Sequence, residues 1–146
     1  MKLLLTLLSL TIISCSSGGG RKGFVDPQLK PYVAMLKVEA AKRDLTIDDS
    51  RLYFYLGKTS APRFFAEEQG GAVMFNETKF ETMPEDLRLL VTFHEAGHAL
   101  YNYKHSLDPK SIMARGGLNT GSLKISEVTR IDKFFFPNGI PITPTK

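Results

Sequence analysis

The segment from Pro84 to Leu100 constrains this chain more than any other. Pro84-Glu85-Asp86 puts a proline and two carboxylates where the first turn of a helix favours them, because unpaired N–H groups and the helix dipole meet there. Leu87, Leu89, Leu90, Val91, Phe93, Ala96, Ala99 and Leu100 follow almost all the way round, so this helix is expected to be buried between two layers. Inside it lies His94-Glu95-Ala96-Gly97-His98. Two histidines four residues apart share one helix face, one turn apart, and both imidazoles can reach a single tetrahedral metal. Glu95 projects about 100° away along the helix, where a carboxylate can handle the proton of a metal-bound water. Nothing else in so apolar a helix accounts for two histidines and a carboxylate at its middle.

All three histidines of the chain fall at positions 94, 98 and 105. A catalytic zinc site takes three protein ligands and keeps one position open, and His105 is the leading third ligand. For His105 to swing back, the helix must end near Tyr101 or Asn102, and asparagine tolerates the left-handed backbone that such an exit needs. Glu127, in the final helix, and Asp108, in the following loop, are the rival third ligands. A single cysteine, Cys15, excludes a multi-cysteine metal site and an internal disulfide framework.

The rest of the chain reads as one α+β domain over 24–146. Asp26-Pro27 starts a helix over about 28–44, with Val33, Leu36, Ala40 and Leu45 on its inner face. A turn at Asp48-Asp49-Ser50 leads to a strand over 51–56, a weaker strand at Phe64-Phe65-Ala66, a break at Gly70-Gly71 and a third strand over 72–76. A last helix covers Ser126 to Phe135 and ends before Pro137. The expected architecture is a small, mostly antiparallel or mixed sheet with a buried active-site helix and a C-terminal helix. Strand 72–76 is the candidate edge for an extended substrate; Tyr53, Phe54, Tyr55 and Phe134-Phe135-Phe136 are core. The 146 residues carry a formal charge of +4, but the basic residues are scattered, which gives no support for nucleic-acid binding.

The N-terminus reads as an address. Met1-Lys2, an apolar run from Leu3 to Ile13 and a small residue after it make a signal peptide over 1–14, too short to span a bilayer of about 30 Å. Ile12-Ile13-Ser14-Cys15 resembles the bacterial lipobox, which implies cleavage before Cys15 and acyl chains on it. Residues 15–23, with Ser16-Ser17-Gly18-Gly19-Gly20, are then a lipidated cysteine and a flexible linker. The implied location is the bacterial cell envelope; Ser16 after the cysteine resembles the outer-membrane sorting pattern.

His94-Glu95-Ala96-Gly97-His98-Ala99-Leu100, His105-Ser106 and Ser111-Ile112-Met113 together resemble the metzincin zinc peptidases, in particular the matrixin-like branch. They resemble still more closely small bacterial lipoproteins that carry a metallopeptidase domain. The resemblance covers about residues 72–114. It implies a minimal zincin-like fold, His94, His98 and His105 as zinc ligands, Glu95 as general base and Met113 as the methionine of a Met-turn beneath the metal. Two departures stand out: Tyr101 occupies the family's glycine position, and His105 follows His98 by seven residues where metzincins have six. The small lipoproteins share the seven-residue step. The expected activity is hydrolysis of peptide or protein substrates at a membrane-anchored zinc site. Two alternatives are a gluzincin-type peptidase with Glu127 as third ligand and a non-catalytic, zinc-stabilised binding lipoprotein.

Overall fold

The computed structural model describes residues 23–114 and 128–137. Strand β1 (Phe24–Val25) leads into helix α1 (Lys30–Ala41); a short 3₁₀ turn at Asp49–Arg51 precedes β2 (Tyr53–Gly57). Strands β3 (Ala66–Gln69) and β4 (Ala72–Asn76), helices α2 (Glu77–Thr82) and α3 (Glu85–Tyr101) and, in the second described segment, α4 (Val128–Phe135) complete the order. The chain is therefore α+β, as expected. Among the described residues no helix is long and apolar enough to cross a membrane.

The sheet is mixed and runs β1-β2-β4-β3. β1 with β2 and β2 with β4 are parallel, whereas β3 and β4 form an antiparallel hairpin. The first parallel pair needs a crossover, which α1 supplies. The hairpin turns on Gly70 (φ 60°) and Gly71 (φ 84°), a two-residue turn with positive φ at both positions. This topology corrects one expectation. Strand 72–76 is an interior strand, hydrogen-bonded on both sides, and among the described residues the edges are β1 and β3, of which β3 lies beside it. The weak strand expected at Phe64-Phe65-Ala66 is shifted: pairing runs from Ala66↔Phe75 to Gln69↔Ala72, so the polar residues Glu67, Glu68 and Gln69 belong to it. An edge strand needs no apolar run, and aromatic density pointed to the wrong residues.

Helix α1 buries Val33, Leu36 and Ala40, the inner face expected of it. It is shorter than 28–44 because Asp44 enters the left-handed region (φ 56°). Leu45 N–H then donates to Ala40 O (3.1 Å) and Asp44 N–H to Ala41 O (3.2 Å), the paired bonds of a Schellman end. An aromatic chain joins the layers: Phe54 meets Phe75, Phe75 meets Phe80 of α2, and Phe80 meets Tyr32 of α1. Helix α3 packs against α1 and, through Phe93, against Phe134 and Phe135 of α4. Arg43 ties the first helix to the last, donating from Nε to Asp132 Oδ1 (2.8 Å) and lying over the Phe135 ring. Helix α3 is buried along most of its length, as its apolar circumference predicts.

Asn76 sets the path from the central strand to the helices. Its Oδ1 caps α2 by accepting from Lys79 N–H (3.1 Å), while Nδ2 donates to the buried Thr59 hydroxyl (2.7 Å). Asn76→Ala is expected to cost about 1–3 kcal/mol in urea unfolding, because a cap is lost and the Thr59 hydroxyl loses its donor.

Candidate metal centre

The left-handed exit from α3 brings the third histidine back. Asn102 takes φ 54° and ψ 35°, and the chain doubles over the last turn: Asn102 N–H donates to His98 O and Tyr103 N–H to Gly97 O, both at 3.1 Å. Three residues later His105 faces the helix. The His94, His98 and His105 rings lie with centroids 4.8–5.2 Å apart, and one ligand atom from each falls within 4.8 Å of the others. His94 is buried, His98 half-buried and His105 exposed, so the cluster grades from core to solvent.

Backbone carbonyls decide the state of two of these rings. His94 Nδ1 lies 2.7 Å from Ile112 O, and His98 Nδ1 lies 2.5 Å from Tyr103 O. A carbonyl can only accept, so both Nδ1 atoms carry the hydrogen and both Nε2 atoms, in the neutral rings, are bare lone pairs. Those lone pairs face each other at 3.2 Å. Two acceptors at that distance repel unless a proton or a cation lies between them. Burial, and secondarily the neighbouring His98 and His105 rings, push the His94 pKa down to about 4, which disfavours the proton. The donor set therefore fits a nitrogen-preferring metal ion, with His94 and His98 each oriented by a carbonyl behind it.

The turn expected to underlie the site lies against it. Ser111 Oγ accepts from Met113 N–H (3.1 Å), Ile112 supplies the carbonyl for His94, and Met113 O accepts from Ser106 N–H (2.7 Å) beside His105. Met113 is buried against α3 at Gly97. A Cβ on Gly97 would stand 2.6 Å from Met113 Sδ, 3.0 Å from Phe134 Cε2 and 3.1 Å from Tyr103 Cδ2. Glycine thus lets the turn, the last helix and the Tyr103 ring approach the helix closely; a Cβ there would make the Met113 side chain move and the two rings give by a few tenths of an ångström. A lone glycine inside a strong helix is the sequence signal for such an approach.

A cleft of about 530 Å³ opens over the three rings, lined also by Glu95, Glu68, Glu67, Arg51 and Asn102. Burial, reinforced by Glu68, pushes the Glu95 pKa up to about 7. Asp108, a rival third ligand, instead accepts from Lys110 N–H (2.9 Å) in an exposed turn and is not part of the histidine group. Glu127 and Cys15 lie outside the described residues. Sequence reasoning missed Arg51, Glu67 and Glu68 because they reach the cleft by sheet order, which no local pattern encodes.

Two outcomes follow. Gly97→Ala is expected to destabilise the chain by about 1–3 kcal/mol, since the Met113 side chain and the Phe134 and Tyr103 rings must give way; thermal unfolding measures it. Metal-free, Glu95 holds its proton up to about pH 7 in the folded chain but only to about 4.5 when unfolded, so its charge opposes folding increasingly as pH rises through that window. Glu95→Gln, unfolded by urea in chelator, should match the wild type at pH 4 and exceed it by up to about 3 kcal/mol at pH 8.

No protein-family model, curated protein or solved structure matches this chain.

Proposed function

We propose that this chain is a lipid-anchored, zinc-dependent peptidase of the metzincin type. The observation that carries the reading is the pair of carbonyl-oriented histidine Nε2 atoms converging with His105 in a cleft that also holds Glu95. His94, His98 and His105 would hold the zinc, and three nitrogen ligands leave the fourth position open. The chemistry zinc supplies when bound is Lewis acidity, which brings the pKa of a water to about 7 and polarises a carbonyl.

Glu95 is the proton carrier. It takes the proton that the attacking water gives up and returns it to the departing amine, acting first as general base and then as general acid. Its burial in the cleft favours that exchange, because a carboxylate stripped of water is a stronger base. The substrate strand has a candidate seat at β3. Among the described residues β3 pairs with β4 on one side only, so an extended peptide can add to its outer edge. The envelope location rests on Cys15 as the lipidated residue, with the signal peptide over 1–14 removed and the domain held at a membrane, the outer one by the Ser16 pattern.

Zinc content per chain and cleavage of a mixed peptide library test the reading together. The wild type should hold one zinc and His105→Ala should lose it. Glu95→Gln should keep the zinc and lose about 10²–10⁴-fold in cleavage rate. Zinc retained in His105→Ala transfers the third-ligand role to Glu127. Equal cleavage by Glu95→Gln and wild type removes the catalytic role, and zinc without any cleavage leaves the binding-lipoprotein reading.

A further inference from the structure

Helix α1 is apolar on two faces, and only one of them is used. Val33, Leu36 and Ala40 enter the core. On the opposite side Pro31, Ala34, Met35, Val38 and Ala41 recur at intervals of three and four residues, all exposed, with Met35 45% and Val38 48% accessible. Such a stripe on a second face calls for a second cover.

Lys30, Lys37 and Lys42 flank this stripe, with Glu39 at its margin and Asp49 beside Lys37 in the neighbouring turn. Lys37 and Lys42 make surface pairs with Asp49 (2.8 Å) and Glu39 (2.6 Å), contacts of small net energy, and with Lys30 the cations exceed these carboxylates by one. A groove of about 620 Å³ borders the stripe and is lined by Ala34, Lys30, Lys37 and Asp49 together with Gly23 and Val25. The start of the described chain therefore lies beside the stripe. Cys15 precedes Gly23 by only eight residues, which span at most about 29 Å when fully extended.

We propose that the outer face of α1 docks on the membrane surface, with Met35 and Val38 entering the interface between headgroups and acyl chains and the lysines meeting anionic headgroups. The inference rests on the anchored reading of Cys15. Apolar anchors with basic flanks are what an interfacial helix presents, and a short tether makes even a weak contact effective by holding it at high local concentration. The short tether to Cys15 favours the bilayer over a second copy of the chain.

The chain contains no tryptophan, so one placed at the stripe reports alone. Full-length Val38→Trp is reconstituted in vesicles of phosphatidylcholine and phosphatidylglycerol, some with brominated acyl chains, beside a Leu107→Trp control at a fully exposed loop position (94%). Emission from Val38→Trp should shift to the blue and be quenched by bromine, while Leu107→Trp stays unshifted. Adding Met35→Asp should abolish both effects. Intact mass of the same sample shows whether Cys15 carries acyl chains. Acylated protein with unquenched Val38→Trp overturns the docking and spares the anchor; a Cys15 without lipid overturns both. Equal quenching at both positions means unspecific adsorption and also refutes it. A blue shift without bromine quenching, accompanied by a dimer in sedimentation, assigns the face to a second copy instead.

Discussion

Two hydrogen bonds from imidazole Nδ1 atoms to main-chain carbonyls govern the rest of the molecule. One carbonyl, Tyr103, belongs to the chain reversal that follows α3; the other, Ile112, belongs to the turn that closes beneath it. Each bond fixes a ring plane, a tautomer and the direction of a lone pair at once. They also fasten two loop segments to the helix, so the third histidine, between them in sequence, is delivered to the same place. Had either ring accepted from an N–H instead, its Nε2 would carry a hydrogen and the cluster would repel a metal.

Burial does two opposing things in this cleft. It strips His94 of its proton, which suits a metal ligand, and it drives Glu95 towards the protonated form, which suits an acid more than a base at neutral pH. A dication in the cleft would reverse the second effect by favouring the carboxylate, so the state of Glu95 is tied to loading of the histidines. Glu68, on the edge strand, adds to the upward push and Arg51 lies in the same wall. The cleft thus carries both signs of charge along its length.

Much of this was legible in the sequence where the signal was local. The HExxH spacing, the apolar circumference of α3 and the choice of Asn102 as exit all follow from helix geometry and φ preference, and the last helix and the inner face of α1 follow from periodicity. Strand order did not. Val73 and Phe75 look the same whether their strand is central or at an edge, and edge identity was settled by the polar Glu67-Glu68-Gln69 segment, which resembles a loop. The strand Phe24–Val25 is too short to show a period. Helix α2 was hidden because Asn76, its cap, also ends a strand, and six residues of mixed polarity give no clear stripe.

Gly97 links positions that are far apart in the chain. Met113 from the turn, Phe134 from the last helix and Tyr103 from the reversal all press on the space above its α-carbon. A methyl gained at Gly97 would therefore have to be met by movement of these side chains. Across related chains they should drift as a unit, with glycine exchanged only alongside a smaller residue at 113 or 134. Variation there would be read as altered packing, yet it would bear on the carbonyls behind His94 and His98. For this protein the hydrophobic core and the candidate metal centre are inherited together.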